Sequence, residues 1–226
     1  MSENNITTPS QEAPVTYGAG ANITALRESL VGNSSDRERV NLLYTSIFSD
    51  AAPLMVGRGW SVWPQERHGR RMPSRVDGQV VRWGEYADRL PTEAEVRLFC
   101  REAGNANVAL ALGFASGRTF AIDIDCMDEQ VSARVQAIAF SVLGQTPFVR
   151  IGRAPKAALI YRWSDRSPRS RSVKFRDHEE CALEILGHGK PLTMHGLHHV
   201  TGRYFMWPEA NPMTSGPEAA SLRPEL

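Results

Sequence analysis

The sequence of 226 residues has no long apolar run, and this absence argues against a helix that crosses a membrane. No stretch approaches the ~20 consecutive apolar residues that such a helix needs. A strong charge of either sign is also absent, because the formal net charge is +1. The whole-chain charge therefore does not indicate a nucleic-acid partner, and only the distribution of charge along the chain is informative.

Cysteines are few and lie far apart. Cys100, Cys126 and Cys181 form no CxxC pair, so the usual zinc-finger spacing is absent. An odd number of cysteines without a signal peptide favours a reducing compartment, and we expect a cytoplasmic protein. The sequence also has no GxxxxGK[ST] phosphate loop.

The two ends of the chain differ from its middle in composition. Residues 1–22 are rich in Ser, Thr, Asn, Gly and Pro, and we expect a flexible tail there. Residues 208–226 have the same character and are interpreted as a second tail or a linker. The segment 23–207 is long enough for one catalytic domain, and 42% of the chain is hydrophobic, which suffices for a buried core.

Helical patterns come early in the chain and strand patterns cluster late. Capping boxes predict helices that begin near Ser35 and at Thr92, and a third helix is predicted over about 128–143. Short apolar runs bounded by turn residues predict strands. This order favours an α+β fold with a mixed or antiparallel sheet. The predicted strands cover 59–64, 108–113, 118–125, 148–152, 157–163, 182–187, 191–196 and 203–207.

The most informative string is AIDIDC at 121–126. Because side chains alternate along a strand, Asp123 and Asp125 share one face, while Ile122 and Ile124 point into the core. Neighbouring carboxylates repel each other, and a divalent cation such as Mg²⁺ removes that penalty. The string alone leaves open the alternative that both aspartates simply face water at a sheet edge.

A third carboxylate, Glu184, lies between Leu183 and Ile185 in another short apolar strand. A short apolar strand does not need a glutamate that faces water, so Glu184 is a candidate for a functional role. If Glu184 lies near the two aspartates, the three carboxylates can hold two metal ions, Mg²⁺ or Mn²⁺. The sequence leaves open the alternative that Glu184 is an exposed strand residue.

Basic residues crowd the segment between Phe148 and Arg176, which holds nine Lys or Arg and one acid. Aromatic residues lie among them, and this mixture suits phosphate contacts and base stacking. A tight turn in GRAPK is expected to place Arg153 and Lys156 at a strand end, where they suit a nucleoside triphosphate. The loop 164–174 is alternatively a solvated basic loop. The residues predicted to contact DNA are Arg70, Arg71, Arg150, Arg162, Arg171 and Lys174.

In their order and spacing, these strings resemble the primase-polymerase domain of the archaeo-eukaryotic primase superfamily. This bifunctional DNA primase/polymerase N-terminal domain is common in phages and plasmids. The resemblance runs from about Trp60 to Trp207 through GWSVWP, NANVALALG, FAIDID, FVRIGRAPK, LEILGHG and GLHHVTGRYFMW. It implies a modified RRM-type sheet flanked by helices, with Asp123, Asp125 and Glu184 as the catalytic metal ligands.

The resemblance also implies residues that bind the incoming nucleotide. Lys156 stands in the region where many members place a nucleotide-binding histidine, a departure that resembles a phage-type variant. His198 matches a family histidine that is usually followed by Pro, where this sequence has His199. Cysteine companions are absent from this histidine-rich string, so a phosphate contact is favoured over structural zinc. The expected partners are a single-stranded DNA template, nucleoside triphosphates and a replicative helicase in trans or in a longer chain.

Three functions are compatible with these residues. The first is template-directed, metal-dependent nucleotidyl transfer in the replication of a phage, plasmid or integrated element. The second is a non-catalytic module that binds single-stranded DNA or a replication origin on a decayed primase fold. The third is a metal-dependent nuclease. The nuclease pattern of an acid followed by ExK is absent, because Ile185 and Leu186 follow Glu184.

Overall fold

The structure is a computed structural model that describes residues 46–67, 72–176 and 178–223. The predicted N-terminal tail, the predicted helix start near Ser35 and the predicted DNA contacts Arg70 and Arg71 lie outside the described residues. The helices are α1 (Ile47–Gly57), α2 (Glu93–Ala103) and α3 (Glu129–Leu143), with 3₁₀ turns at Trp83–Ala87 and Pro217–Ala219. The strands are β1 (Val62–Gln65), β2 (Arg75–Val76), β3 (Gln79–Val80), β4 (Asn107–Ala111), β5 (Thr119–Asp125), β6 (Val149–Arg150), β7 (Ala157–Trp163), β8 (Arg171–Phe175), β9 (His178–Leu186), β10 (Pro191–His195) and β11 (Leu222–Arg223).

Most strands belong to two sheets. A three-stranded antiparallel sheet has the order β1–β4–β10. A six-stranded sheet has the order β11–β7–β5–β9–β8, and β6 also pairs with β7. Its pairs are antiparallel except that β11 runs parallel to β7. The predicted α+β fold is confirmed.

Two of the helices begin and end where capping chemistry places them. The side chain of Thr92 accepts a hydrogen bond from the backbone N–H of Glu95, and the Glu95 side chain accepts from the N–H of Thr92. This reciprocal pair starts α2, as predicted. The side chain of Asp128 accepts from two backbone N–H groups in the first turn of α3. Gly144 follows α3 with a positive φ of 74°, which glycine adopts without steric cost.

The six-stranded sheet separates two hydrophobic cores. Ala121 and Ile160 pack in one core with residues of the three-stranded sheet such as Leu110. Ile122 and Leu159 pack in the other core, which α3 covers. Because alternate residues of a strand share a face, Asp123 lies on the same face as Ala121, the face that packs toward the three-stranded sheet.

The predicted inward face of α3 is confirmed in part, because Val131, Val135 and Ala139 pack against the core. The helical pattern predicts Ile138 and Val142 on the buried side, but they are 54% and 68% exposed. The buried residues of α3 are Ser132 and Leu143, and Val135 packs against the core on the same line. Apolar residues occur on both sides of this helix, so their spacing alone did not determine which side the sheet would cover.

Three further segments also differ from the sequence pattern. Helix α1 was not predicted, and β8 lies in a segment that was interpreted as a possible solvated loop. The string at 203–207 was predicted as a strand but forms only isolated bridges, in which Met206 pairs with Ile151 and Tyr204 with Leu197. Isolated bridges depend on distant partners that the local sequence does not reveal.

The segment after Trp207, expected to be a tail or linker, packs on the domain through its last described residues. The indole N–H of Trp60 donates to the carbonyl oxygen of Ser215 at 2.8 Å. Ala220 is buried, and Leu222 lies in the strand beside β7. Small and polar residues can therefore belong to the fold when their backbone groups find partners there.

Cys126 and Cys181 form a disulfide, with their Cα atoms 4.1 Å apart, and Cys100 is a free thiol. Cys126 directly follows β5 and Cys181 lies in β9, so the bond joins the two strands that carry the predicted acids. Burial raises the pKa of the Cys100 thiol. No helix among the described residues is long and apolar enough to cross a membrane.

Candidate active site

The three predicted carboxylates lie on one face of neighbouring strands. Asp123 of β5 is the direct cross-strand partner of Glu184 of β9, and Asp125 is the partner of Ala182 in the same pair of strands. Directly opposite residues of an antiparallel pair share a face and have Cβ atoms about 5 Å apart. We call Asp123, Asp125 and Glu184 the acid row. The predicted common face of the two aspartates is confirmed.

Two cations contact the acid row. A guanidinium nitrogen of Arg150, Nη2, lies 3.6 Å from Oδ1 of Asp123. The ammonium group of Lys156 contacts Oδ1 of Asp125. Both cations belong to segments that pair with or precede β7, the strand beside β5. The acid row carries three formal negative charges, and the two cations balance two of them.

Arg150 is held inside the protein. Its side chain is 6% exposed, and Nη1 donates a hydrogen bond of 2.6 Å to the carbonyl oxygen of Thr193 in β10. The hydroxyl of Thr193 donates in turn to Oε1 of Gln65 in β1. The guanidinium also lies over the ring of Phe205, 4.9 Å from its centroid. Arg150 therefore links the acid row to the three-stranded sheet, although the sequence analysis predicted a DNA contact for it.

The turn that carries Arg153 and Lys156 is built as predicted. The backbone N–H of Lys156 donates to the carbonyl oxygen of Arg153 at 3.0 Å, which closes a tight turn. The hydroxyl of Ser132 in α3 donates to the carbonyl oxygen of Pro155 at 2.8 Å and anchors the turn. Arg153 is exposed at the tip, and Lys156 reaches back to Asp125.

His198 contacts the same aromatic ring, Phe205, as Arg150 does. The ring of His198 contacts Phe205 edge-on with centroids 5.6 Å apart. Its Nδ1 accepts from the backbone N–H groups of Val200 and Thr201 at 3.3 and 3.4 Å. The neutral imidazole therefore carries its proton on Nε2. A Cβ atom at Gly152 would lie 2.5 Å from the Phe205 ring, so only glycine allows this close packing.

Asn107 holds the segment that contains His198, a role that the sequence analysis missed. Its side-chain amide donates to the carbonyl oxygen of Leu197, and its side-chain oxygen accepts from the N–H of the same residue. Gly196 has a φ of 113° and packs directly against the Asn107 side chain. The signal in the sequence was a polar residue at the start of a strand that is otherwise apolar.

The other predicted DNA contacts lie in different places. Lys174 of β8 pairs with Ala182 and so lies on the face of the acid row, whereas Arg171 pairs with Ile185 and lies on the opposite face. Arg162 pairs with Thr119 at the far end of β5. These DNA contacts therefore stay predictions: Lys174 lies beside the acids, whereas Arg162 shares their face only at the opposite end of β5.

The remaining histidines of the predicted region do not gather with the acids. His188 Nε2 lies 3.5 Å from Oδ1 of Asp88. His195 is largely buried at the end of β10, and this burial lowers its pKa. Among the residues that the structure describes, no group of three His, Cys, Asp or Glu side chains is close enough to hold a metal ion.

The chemistry of the acid row nevertheless fits a divalent cation. Carboxylate oxygens are the donors that Mg²⁺ and Mn²⁺ prefer. The ammonium group of Lys156 already occupies a cation position on Asp125. The side chains of Asp123 and Asp125 are 19% and 55% exposed, so solvent reaches both. Asp123, Asp125 and Glu184 are the residues that would hold such an ion.

The fold and the acid row together define an α+β protein of the primase type. The family model of the bifunctional DNA primase/polymerase N-terminal domain, Prim-Pol, matches residues 52–219. This match covers well over half of the chain, and the chain belongs to that family. No curated protein sequence matches it.

Proposed function

We propose that this chain is a DNA-directed primase/polymerase, which joins nucleotides on a single-stranded DNA template. The observation that carries the proposal is the direct pairing of Asp123 with Glu184 across β5 and β9, with Asp125 on the same face. Three carboxylates in this arrangement, in a chain of the primase-polymerase family, support metal-dependent nucleotidyl transfer.

Different residues of the chain would bind the metal and the nucleoside triphosphate in that reaction. Asp123, Asp125 and Glu184 would hold one or two ions of Mg²⁺ or Mn²⁺. When bound, the metal activates the attacking hydroxyl and offsets charge on the departing pyrophosphate. The nucleoside triphosphate would lie against Arg153, Lys156 and His198. This proposal is supported by the contact of Lys156 with Asp125 and by the Phe205 ring, which both His198 and Arg150 contact.

The template would approach along the acid face of β8. Lys174 is exposed on that face and can contact a phosphate. The proposal has three further parts. A helicase acts with this domain in trans or in a longer chain, the reaction serves the replication of a phage, plasmid or integrated element, and the protein is cytoplasmic. The helicase and the replication role rest on the family relationship. The cytoplasmic location rests on the cysteine pattern of the sequence, and the Cys126–Cys181 disulfide argues against it, because disulfides are rare in a reducing compartment.

The decisive experiment compares wild type with Asp123→Asn in synthesis from labelled nucleoside triphosphates on single-stranded DNA. Mg²⁺ and Mn²⁺ are tested separately, with and without an annealed primer. We expect the substitution to reduce synthesis at least ~1,000-fold, because it removes a charged metal ligand while it keeps the side-chain shape. DNA binding, measured by fluorescence anisotropy, should persist in the variant.

The outcomes separate the possible activities. Short products without a primer, absent in the variant, establish a primase. Products only with a primer establish a polymerase. Equal synthesis by wild type and Asp123→Asn would overturn the assignment of the acid row.

A second function, a non-catalytic DNA-binding module, is favoured by one observation. Arg150 and Lys156 already neutralise two of the three carboxylates, and the described residues contain no ready group of three metal ligands. Such a module would bind single-stranded DNA equally well in EDTA and in Mn²⁺ and would make no product. The nuclease is tested in parallel reactions in which the DNA template carries the label, because a nuclease would shorten that strand.

A further inference from the structure

The two cations of the acid row are held in different ways. Arg150 has three partners besides its aspartate neighbour: the Thr193 carbonyl oxygen, the Phe205 ring and the surrounding core, which leaves its side chain 6% exposed. To leave Asp123, it would have to give up a buried hydrogen bond as well as the ion pair. Such a loss is costly in the protein interior, so Arg150 is a fixed counter-charge.

Among the described residues, the contacts that hold Lys156 are the hydrogen bond of its backbone N–H to Arg153 and the ion pair of its side chain with Asp125. The backbone turn is anchored through Ser132 and Pro155, but the Lys156 side chain is 30% exposed and that of Asp125 is 55% exposed. Ion pairs between exposed side chains are weak, and a lysine has a long flexible stem. The ammonium group can therefore leave Asp125 while the turn stays in place.

The position of this ammonium group conflicts with a metal ion on Asp125. A divalent cation and an ammonium group at the same carboxylate repel each other, so the ion must displace the lysine. A nucleoside triphosphate offers the displaced ammonium group new anionic partners within reach of the same anchored turn. The two binding events then favour each other, because each removes an obstacle to the other.

We propose that Lys156 is an exchangeable counter-ion that competes with the divalent metal for Asp125 until a nucleoside triphosphate draws the lysine away. This inference rests on the proposed function, since it assumes that the acid row binds metal. It gives the site an order: without nucleotide the Lys156–Asp125 pair lowers metal affinity, and with nucleotide the lysine contributes to triphosphate binding.

The test measures Mn²⁺ affinity without nucleotide, from the loss of the electron paramagnetic resonance signal of free Mn²⁺. We expect Lys156→Gln to bind Mn²⁺ about two- to fivefold more tightly than wild type, the range that an exposed ion pair supports. Lys156→Arg keeps the charge and should bind Mn²⁺ like wild type. In EDTA, Lys156→Gln should bind a fluorescent nucleoside triphosphate more weakly than wild type, and Lys156→Arg should not.

Lys174→Gln is the matched control, because Lys174 lies in line with Asp125 on the same face, on the far side of Ala182. Its removal should change Mn²⁺ affinity less than removal of Lys156 does. Equal tightening in both variants would show a general charge effect and overturn the exchange. Unchanged or weaker Mn²⁺ binding in Lys156→Gln would also overturn it, provided that Asp125→Asn weakens binding. If neither wild type nor Lys156→Gln binds Mn²⁺, the metal role of the acid row fails as well.

Discussion

The two ends of β5 are held in different ways. At its C-terminal end, Asp123 and Asp125 form ion pairs with Arg150 and Lys156. At its N-terminal end, the neighbouring cation is Arg162. It donates to backbone carbonyl oxygens, and no carboxylate among the described residues forms an ion pair with it. The first end pairs cations with carboxylates, and the second uses an arginine to hold backbone carbonyl oxygens.

The contacts of Arg162 explain why a basic residue need not indicate a nucleic-acid contact. Its Nε donates to the carbonyl oxygen of Gly117 at 2.9 Å, and Nη1 donates to that of Glu218 at 3.2 Å. The second bond fastens the segment that precedes β11. Arg150 and Arg162 come from the same basic stretch of sequence, yet their partners give them different tasks.

The largest expected effect on stability concerns the disulfide beside the acid row. Reduction of the Cys126–Cys181 bond should lower the free energy of unfolding by about 3 kcal/mol, because it frees a long loop in the unfolded chain. Urea unfolding with and without reductant measures this change. A Cys126→Ala/Cys181→Ala variant should be insensitive to reductant. Three titratable thiols in the denatured, unreduced protein would contradict the prediction.

Removal of the fixed cation should have the next largest effect. Arg150→Met should cost about 2 kcal/mol, because Asp123 loses its counter-charge and the Thr193 carbonyl oxygen loses a donor. Arg150→Lys keeps the charge and should lose less. Urea midpoints at constant slope measure both variants. A loss of about 1 kcal/mol or less in Arg150→Met would contradict this ranking, because it would not exceed the loss expected for Arg162→Leu at the other end of β5.

At the other end of β5, Arg162→Leu should cost about 1 kcal/mol, since two hydrogen bonds to carbonyl oxygens are lost at a partly exposed site. The change should also loosen the segment around Glu218. Limited proteolysis followed by mass spectrometry should show earlier cleavage near that segment than in wild type. Unchanged cleavage would show that Arg162 does not fasten it.

The smallest expected effect comes from an ion pair away from both ends. Arg89 donates to Glu95 and holds the pKa of that carboxyl at about 2, below its ordinary value of 4.5. A lowered pKa stabilises the fold above pH 4.5, and the stabilisation is lost as the pH falls toward 2. Glu95→Gln should therefore cost about 0.5 kcal/mol at pH 7 and less at pH 3, measured by thermal unfolding. A pH-independent difference would contradict this origin.

The sequence predicted the local elements best where the chemistry is local. The capping box of Thr92 and Glu95 placed the start of α2, and the alternation in AIDIDC placed Asp123 and Asp125 on one face. Prediction failed where a residue far away in the chain determines whether a segment forms a strand or which side of a helix is buried. Residues 171–175 become a strand only because β9 lies beside them, and the exposed side of α3 depends on which face the sheet covers.

The sequence by itself determined the acid types, their spacing along β5 and the family to which the chain belongs. These follow from strand periodicity and from the order of short motifs. Only the tertiary structure decided that Glu184 is the direct partner of Asp123 and that Arg150 is buried against Thr193. Strand register and burial depend on contacts between residues far apart in the chain. The same contacts determine which cation lies close enough to a carboxylate to pair with it.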